Sequence, residues 1–563
     1  MRQDRISKIC GGDIELANFI LRARGKESKA ASLADTADEA SRRLLVEIQG
    51  FPKERKNADS PQDWGRKFLS ENGGCVYIDL NHLELCLPEV SSAHEHLSAW
   101  FAMLKIAEGA RQAANRKLPN GDKIEVLANN SDGLGHSYGS HLNFLLTREC
   151  FENLMGKRPD LKQYFLSYLI SSIVVSGQGK VGSENGSPQT GFQISQRADF
   201  FETIEGKQTT YRRPLLNTRD EPHAGFKGEE GAQALARLHV IFFDSNLCHV
   251  AHFLKIGVTQ LILAMLEENN LCNPDLILGD PLNTLKMWSH DPNLTAQGTL
   301  LVSKKKRTAV EIQRGFWEEA EKFVARGGSQ GIVPHAEFIL QLWQEVLCDL
   351  ENRNWDSLAP RLDWVLKKRI LEEAMGRRCE MKWDSPQTKH LDHLYSSLNE
   401  EEGLFWIARN SGFVEELVTQ EEIEQLRSQP PSQTRAFLRA HLLRKAGECV
   451  ENMDWSWLNI RPDDSSATTL LLLPRPDKGT AEECASLFEG NTGLEKILRQ
   501  LYMLQGKRGK NNESGRFSLR RMMRKMKYLA KKLCVSSVNF FSKWGSQESS
   551  AGASPSIEIQ NSR

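Results

Sequence analysis

The chain carries the sequence GGDIE at residues 11–15, in which Asp13 and Glu15 stand two residues apart. On a β-strand, residues i and i+2 point to the same face of the sheet, so the two carboxylates would share a face. Two such acids repel each other and need a cation, bulk water or a raised pKa to coexist. Mg²⁺, which prefers oxygen ligands, would serve as that cation. The stretch therefore predicts a strand that carries either a metal site or a solvated edge.

A second stretch, residues 77–89, reads YIDLNHLELCLPE and begins as a strand-like run. Its acids Asp79, Glu84 and Glu89 stand five residues apart. Polar groups at the end of a buried strand are natural positions for a general base and for metal ligands. A capped strand that ends in a surface loop would show the same pattern, so this stretch alone leaves both interpretations open.

The third stretch, residues 129–144, reads NNSDGLGHSYGSHLNF. Its glycines and small polar residues predict a tight loop that leads into a strand. On that strand His141 and Asn143 would share one face. A single histidine is more often a satisfied residue of the core than a ligand, so the role of this pair stays open at this point.

Arginines and further histidines mark a fourth region. Its strings are SQRADFFE (195–202), NTRDEPH (217–223) and RLH (237–239). Arginine suits bidentate recognition of phosphate or carboxylate, although charged residues also mark the solvated ends of strands. The sequence has no GxxxxGK[ST] phosphate loop, and the glycine-rich loop 177–187 lacks the Lys-Ser/Thr pair. A nucleotide would therefore be held by metal ions and arginines.

Composition excludes several classes of protein. The 563 residues are 40% hydrophobic and 26% charged, and 73 basic residues balance 73 acidic ones, which argues against a surface built throughout for nucleic acid. The longest apolar run, Tyr164–Val175, is too short to cross a bilayer, and the N-terminus lacks the apolar core of a secretory signal. The eleven cysteines form no CxxC pair. We therefore expect no integral membrane segment, and reduced thiols in a cytoplasmic protein.

The residue patterns change along the chain. Residues 1–305 mix strand-like runs with polar helical stretches, whereas apolar residues three and four apart make residues 306–505 mainly helical. The strand-like runs are Cys75–Leu80, Ile124–Ala128 and Leu238–Phe243, and the helical ones include Phe338–Leu350 and Trp364–Ala374.

Residues 506–563 differ from the rest. Between Lys507 and Lys532 there are eleven Lys or Arg and one acid, with Leu and Met at helical spacing, which predicts a basic amphipathic helix. Such a helix suits an anionic surface or an acidic partner, and loose docking on its own domain is the alternative. The composition of residues 546–563 is typical of disorder.

In this order, the four stretches resemble the Pup ligase and depupylase family of bacterial proteasome accessory factors. GGDIE is similar to that family's G-x-E-x-E strand, residues 77–90 to Y-x-D-x-x-H-P-E-Y-x-x-P-E, and residues 129–145 to NNTDxxGxSYGxHENYL. The strings LDWVLKKR (362–369), WDSP (383–386) and PPSQTRAFLR (430–439) also match. The resemblance covers about residues 8–475 and does not include the basic tail.

The resemblance implies an α+β fold. A glutamine-synthetase-like, curved antiparallel sheet backed by helices would form a cradle that holds ATP. The expected domains are a carboxylate–amine ligase-like catalytic domain at 1–305, a smaller and mainly helical C-terminal domain at 306–505, and the basic helix with its disordered tail at 506–563.

The resemblance also implies an activity. The family's ligases use ATP and Mg²⁺ to convert the C-terminal glutamate of a small protein modifier, Pup, into an acyl-phosphate, which a lysine of a target protein attacks to form an isopeptide bond. The family's depupylases cleave that bond in the same kind of site. The leading hypothesis is the ligase reaction with a Pup-like modifier and lysine-bearing target proteins in a bacterial cytoplasm.

Residue roles follow from the resemblance by position. Asp79 corresponds to the catalytic aspartate, which would be the base toward the lysine amine in a ligase, or the nucleophile or water activator in a hydrolase. Asp13, Glu15 and Glu84 correspond to the Mg²⁺ ligands.

Four further residues correspond to the phosphate side of the family's site. Arg219 corresponds to the phosphate-binding arginine, which would offset charge on the transferred phosphoryl group. His141, His239 and Asn143 correspond to polar residues near the metal and the phosphates.

Several departures from the family pattern keep alternatives open. Leu142 and His249 stand where the family has acids, and the loss of two carboxylates could lower Mg²⁺ affinity or leave a non-catalytic binding protein. The string GFQISQRADFFE (191–202) looks like the depupylase branch, whereas the short segment between Glu15 and Asp79 looks like the ligase branch.

Overall fold

A computed structural model describes residues 5–23, 33–52, 64–119, 121–221, 223–225, 234–268, 273–378, 380–462, 468–490 and 492–508. The basic segment beyond residue 508 and the tail 546–563 lie outside these residues, so what the sequence predicts for them stays a prediction.

The described strands follow in chain order. They are β1 (Cys10–Leu21), β2 (Phe51–Pro52), β3 (Trp64–Phe68), β4 (Cys75–Asp79), β5 (His82–Cys86), β6 (Lys123–Leu127), β7 (Ser140–Thr147), β8 (Lys180–Val181), β9 (Phe192–Gln193), β10 (Phe201–Gly206), β11 (Arg213–Asn217), β12 (Leu235–Val240), β13 (Gly298–Thr299), β14 (Lys306–Arg307), β15 (Val450–Asp454), β16 (Trp457–Ile460) and β17 (Thr469–Leu472).

The described α-helices are α1 (Leu33–Glu47), α2 (Ala93–Asn115), α3 (Arg148–Glu152), α4 (Pro159–Ser171), α5 (Ile173–Ser176), α6 (His249–Glu267), α7 (Pro281–Ser289), α8 (Ala309–Ala325), α9 (Ala336–Asn352), α10 (Trp355–Leu358), α11 (Asp363–Arg377), α12 (Pro386–Tyr395), α13 (Leu404–Asn410), α14 (Gln420–Ser428), α15 (Arg435–Ala446), α16 (Ala481–Cys484) and α17 (Leu494–Arg508).

An antiparallel eight-stranded sheet is organised around β1. The first half of β1 pairs with β5 on one side and β7 on the other, and residues 17–21 pair with β6. From β5 the sheet continues through β4 and β3 to β2, and from β7 it continues to β12. The strand predicted from GGDIE is therefore the central strand of the sheet, and the predicted antiparallel sheet is present.

Alternation along the strands gives this sheet two different faces. Ile14 and Leu16 of β1 and Leu83 and Leu85 of β5 are fully buried in the hydrophobic core. Helices α1, α2 and α6 pack against this apolar side of the sheet. Burial of one such side chain contributes about 1.5–3 kcal/mol to the free energy of unfolding. The alternate apolar residues therefore fix each strand in the core, and the polar residues between them face the opposite side of the sheet.

Helix α6 lies in the centre of the helical layer. It is the one described helix that is long and apolar enough to cross a membrane, and its whole apolar window is buried inside the protein. It packs against α2, α5 and α9. We interpret α6 as a core helix.

A tight hairpin joins β4 to β5. Its two turn residues, Leu80 and Asn81, have φ angles of 44° and 72°. Positive φ at both positions is typical of the two-residue turn that matches the twist of the flanking strands. The turn sets Asp79 directly opposite His82, and so fixes which residues of β4 and β5 face each other.

The region predicted to be mainly helical contains an additional sheet. Strands β15, β16 and β17 form a three-stranded antiparallel sheet among the helices α8–α16. Helices α9 and α11 contain the two predicted helical runs. The strand predicted at 238–243 begins three residues earlier in the structure, as β12. Residues Met1–Glu489 form one compact unit and Gly490–Arg563 a second, which holds α17. The domain boundary expected at residue 305 stays a prediction.

Candidate active site

The polar face of the sheet carries a grid of acids from three strands. Asp13 and Glu15 of β1 lie directly opposite Cys86 and Glu84 of β5. Residues directly opposite each other on antiparallel strands point to the same face, with side chains about 5 Å apart. The sequence prediction that the two acids of β1 share a face agrees with this register, and β5 adds a third carboxylate to them.

Asp79 completes the acid cluster from the next strand, β4. Oxygen atoms of Glu15, Asp79 and Glu84 lie within 4.8 Å of one another, and an oxygen of Asp13 lies within the same distance of Glu84. Glu84 is 3% exposed, whereas the other three carboxylates are partly exposed to a cavity. The structure thus brings together the four acids to which the family resemblance assigns catalytic or metal-binding roles.

Three of the four acids, Asp13, Glu15 and Glu84, have shifted pKa values, and the causes of the shifts differ. Burial, followed by repulsion from Glu15, Asp13 and Asp79, raises the pKa of Glu84 well above its usual value. Burial would also raise the pKa of Glu15, but His141 and His82 bring it below its usual value. Burial raises the pKa of Asp13, although Arg237 and Asn143 oppose that shift. Burial and the three neighbouring acids therefore both disfavour ionisation of Glu84.

The donor atoms of this cluster fit a hard divalent cation. Each of the four acids supplies carboxylate oxygen, the ligand that Mg²⁺ prefers. The Oε2 atom of Glu84 is buried and has no hydrogen-bond partner among the described residues, so it is available for a cation. A bound cation would also offset the mutual repulsion that raises the pKa of Glu84.

Asn143 connects the acid cluster to the basic side of the sheet. Its Nδ2 donates to Asp13 Oδ2 at 3.2 Å, and its Oδ1 accepts from Arg237 Nη1 at 2.6 Å. The ring of His239, directly opposite Asn143 on β12, places Nδ1 3.0 Å from the same oxygen. Asn143 therefore fixes the Asp13 carboxylate and the Arg237 guanidinium relative to each other.

His141 lies between the acids and the arginines. It is directly opposite Asp13 on the neighbouring strand, and its ring centroid is 5.1 Å from that of His239. Burial lowers the pKa of His141 to about 3, with Glu15 opposing the shift and Arg197 adding to it. Burial and Arg237 likewise lower the pKa of His239 well below its usual value. Both rings are therefore neutral at physiological pH and can donate or accept a hydrogen bond without adding charge.

The basic side of the site is built by arginines that backbone carbonyls hold in place. Arg219 donates from Nε to the carbonyl of Lys207 at 2.9 Å. Arg213 donates from Nη2 to the carbonyl of Ser137 at 2.9 Å and from Nε to that of Thr209 at 2.8 Å. Arg219 also donates from Nη2 to the Thr209 hydroxyl at 3.4 Å. Because the described partners of both guanidinium groups are neutral, the two charges remain available to an anion.

One cavity of about 990 Å³ joins these groups. It is lined by every site residue named from the sequence, which are Asp13, Glu15, Asp79, Glu84, His141, Asn143, Arg219 and His239. Arg435, Asp454 and Trp455 from the later half of the chain close one part of its wall. An acidic part and a basic part within one cavity suit a ligand that carries phosphate together with a cation.

Sequence reasoning missed several residues that line the cavity. Tyr77 and Cys86 lie on the acidic face two residues from Asp79 and Glu84, so the alternation that identified those acids would have found them. The guanidinium of Arg66 stacks over the Tyr77 ring at 3.6 Å from its centroid. No local pattern marks Arg66.

Glu89 does not belong to the acid cluster, although it stands five residues after Glu84. Its carboxylate is held by Arg435, from Nε to Oε1 at 2.6 Å, and by Arg439, from Nη2 to Oε2 at 2.5 Å. Burial alone would raise the pKa of Glu89, but Arg439 and Arg435 lower it to about 2. We therefore interpret Glu89 as part of the framework of the cavity wall.

The two positions where family acids are replaced do not line the cavity. Leu142 lies between His141 and Asn143 on β7, so its side chain points to the opposite face, where it is fully buried in the hydrophobic core. His249 is buried on α6, where its Nδ1 accepts from the Leu417 amide at 3.1 Å. The expectation that these replacements remove carboxylates from the centre of the site is therefore wrong for this chain.

Comparisons with known proteins agree with the residue patterns. The sequence model of the Pup-ligase protein family matches residues 14–459. A Pup deamidase/depupylase of Mycolicibacterium smegmatis is 31% identical over 469 residues, covering 81% of this chain and 89% of the relative. A Pup–protein ligase of Acidimicrobium ferrooxidans is 33% identical over 417 residues, covering 73% and 87%.

Solved structures give the same fold. The Pup ligase PafA in complex with Pup matches with a TM-score of 0.70 and 23% identity, over 89% of this chain and 95% of that one. The same ligase with ADP matches with a TM-score of 0.65 and 24% identity, over 86% and 97%. The fold class expected from the resemblance is thereby confirmed. By its sequence match over most of its length, the chain belongs to the Pup-ligase family.

Proposed function

We propose that this chain is an ATP- and Mg²⁺-dependent ligase that joins the C-terminal glutamate of a small Pup-like protein modifier to lysines of target proteins through an acyl-phosphate. The observation that carries the proposal is the single cavity with four carboxylates on one side and Arg213, Arg219 and Arg237 on the other. Family membership supports a Pup-like modifier as the substrate, since the relatives include proteins named as Pup ligases.

Asp79 is the base of the proposed reaction. It ends β4 at the hairpin and is more exposed than Glu84, so an incoming amine can reach it. It takes the proton that the lysine amine loses as the new amide bond forms.

Asp13, Glu15 and Glu84 would hold Mg²⁺. When bound, the ion supplies positive charge next to the phosphate oxygens. Asn143 keeps the Asp13 carboxylate oriented through its 3.2 Å hydrogen bond. The neutral rings of His141 and His239 line the same cavity and would donate hydrogen bonds to phosphate oxygens.

The arginines orient the phosphate chain of ATP. Arg213 and Arg219, at the two ends of the segment 213–219, both line the cavity. Backbone carbonyls hold each of them in place. Guanidinium groups fixed before the reaction stabilise charge that moves along the phosphate chain without reorganising. Arg219 is the residue we assign to the transferred phosphoryl group.

The test is ADP release with Mg²⁺, ATP and a Pup-type modifier ending in glutamate, together with isopeptide formation on a lysine-bearing protein. We expect Asp79→Asn to abolish conjugate formation while nucleotide still binds. Asp356→Asn is the matched control, because Asp356 is 91% exposed and pairs only with Arg369 among the described residues. Full turnover by Asp79→Asn would refute the assignment.

A depupylase is the second candidate, and relatives carrying that name support it at similar identity. The same cavity would then position water, with Asp79 as nucleophile or water activator. Incubation with a preformed conjugate separates the two directions, because a depupylase releases the modifier without net ATP consumption. The lysine-bearing targets and the cytoplasmic location stay predictions.

A further inference from the structure

A thiol belongs to the floor of the cavity beside the acids. The Cys86 sulfur and carboxylate oxygens of Asp13 and Glu84 lie within 4.8 Å of one another. Cys86 is directly opposite Asp13 on the neighbouring strand and two residues from Glu84 on the same strand. The three donors thus form a compact triangle on one face of the sheet, and this triangle shares Glu84 with the neighbouring group of Glu15, Asp79 and Glu84.

One corner of this triangle has an unsatisfied donor atom. Glu84 is 3% exposed, and its Oε2 has no hydrogen-bond partner among the described residues. Its other oxygen is 4.0 Å from the Cys86 sulfur, which is at best a weak contact. A buried carboxylate oxygen without a partner costs free energy, and a cation bound between the three donors would remove that cost.

We propose that Asp13, Glu84 and Cys86 bind a thiophilic divalent cation, of the class of Zn²⁺ and Cd²⁺, at a site that overlaps the Mg²⁺ site. Thiolate sulfur favours such cations over Mg²⁺, whereas carboxylate oxygen accepts both classes. The thiol releases its proton to solvent as the sulfur–metal bond forms, and no group is oxidised or reduced. Zinc binds thiolate at about 2.3 Å and carboxylate at about 2.0–2.2 Å, so small side-chain rotations would close the triangle on the ion.

Shared ligands make the two metals exclusive. Asp13 and Glu84 are also two of the three residues assigned to Mg²⁺. A thiophilic cation on the triangle would occupy both, so it would inhibit a Mg²⁺-dependent reaction in this cavity. The metal affinity itself rests on the three donor atoms and does not depend on which reaction the cavity catalyses.

Cys75 provides a matched control. It lies directly opposite Cys86 on β4 and is equally buried. Its sulfur is 3.7 Å from Arg66 Nη1 and does not belong to the donor triangle. Because Cys86, and not Cys75, is grouped with two carboxylates, the two neighbouring cysteines should respond differently to the same metal.

The test is a Cd²⁺ titration of the full-length, chelator-treated protein, with no nucleotide or modifier present. The readouts are the ultraviolet sulfur-to-cadmium charge-transfer band and the bound Cd²⁺ after equilibrium dialysis. We expect Cys86→Ala to lose part of the band and to weaken the tightest Cd²⁺ binding by at least about tenfold, since losing groups that merely orient metal ligands already costs that much. Cys75→Ala should match the wild type, and excess Mg²⁺ should displace Cd²⁺ from the wild type.

Other thiols, such as the exposed Cys348, contribute equally to all variants and cancel in the difference spectra. A band unchanged in Cys86→Ala, or reduced equally in Cys75→Ala, would overturn the proposal. If Cys86→Ala fails to fold by circular dichroism, Cys86→Ser keeps the side-chain shape and should still lose the band. Because no substrate is used, a failure here is independent of whether the ligase reaction is found.

Discussion

The guanidinium of Arg435 and the carboxylate of Glu89 form a buried ion pair, with Nε 2.6 Å from Oε1, between residues 346 positions apart in the sequence. Arg435 also donates to the backbone carbonyls of Leu473 at 2.6 Å and His223 at 2.8 Å. One side chain thus connects the end of the acid-bearing hairpin, the segment that follows Arg219, and the strand region of the later half. The wall of the cavity depends on this contact.

Glu89→Gln should destabilise the protein by about 3–5 kcal/mol, because it leaves two buried arginines without their anion. The pKa of Glu89 is about 2 in the folded protein, below the ordinary value near 4.3. The stabilisation is therefore complete above about pH 4.3 and is lost as the pH falls toward 2. Urea unfolding of both proteins at several pH values tests this prediction.

Glu424→Gln is the control for this pair. Glu424 pairs with Arg427 on the surface, with both side chains nearly half exposed. Exposed ion pairs contribute at most about 1 kcal/mol to the free energy of unfolding, so this variant should unfold at almost the same urea concentration as the wild type. Equal effects of the two substitutions would contradict the framework role of Glu89.

Glu84→Gln should raise the melting temperature of the metal-free protein at pH 7. Burial and neighbouring acids raise the pKa of Glu84 in the folded state. The stability that Glu84 contributes is therefore present below its ordinary pKa and is lost as the pH rises, so the ionised group opposes folding at neutral pH. The gain in the variant should vanish below about pH 4.3.

Mg²⁺ should reverse this order of stability. It should raise the melting temperature of the wild type more than that of Glu84→Gln, since the variant loses a charged ligand. Differential scanning fluorimetry with Mg²⁺ and with a chelator measures both effects. A variant less stable than the wild type without metal would contradict the assignment of Glu84 to the cation.

Asn143→Ala should weaken Mg²⁺ binding by about 10–100-fold, the usual cost of losing a group that orients a metal ligand. The substitution removes the donor to Asp13 and the acceptor for Arg237. Isothermal titration with Mg²⁺ and ADP gives the affinity. Asn283→Ala, at an exposed helix start, should leave it unchanged.

Leu142→Glu restores the family acid but should not increase Mg²⁺ affinity. Leu142 is fully buried on the apolar face of the sheet, away from the cavity. A carboxylate placed there without its partners should lower the unfolding free energy by several kcal/mol. Leu142→Met keeps the volume and should cost less than about 1.5 kcal/mol. Higher Mg²⁺ affinity in Leu142→Glu would show that position 142 reaches the cavity after all.

The alternation of residues predicted much of the site. It placed Asp13 with Glu15, and His141 with Asn143, on shared faces, and the register of β1 with β7 agrees. The same alternation predicts that Leu142, between His141 and Asn143, points to the core. The expectation that Leu142 removes a carboxylate from the site was wrong because it followed the family motif and not the strand geometry.

Other features could not be read from local sequence. Which strand lies beside which is decided by tertiary packing, so the closeness of Asp79 to Glu15 required the order of strands in the sheet. The role of Glu89 depended on Arg435, whose position in the chain gives no local signal. The sheet β15–β17 was missed because its strands are only four or five residues long, and β15 (VENMD) carries a single β-branched residue.

The two-residue turn at Leu80 and Asn81 has a consequence for how this hairpin can vary over evolutionary time. One residue inserted into β5 would exchange the faces of Glu84 and Leu83, which would send an acid into the core and a leucine into the cavity. Insertions of two residues would preserve the faces. Length changes in this hairpin should therefore obey a parity rule, in which even steps survive selection and odd steps are eliminated.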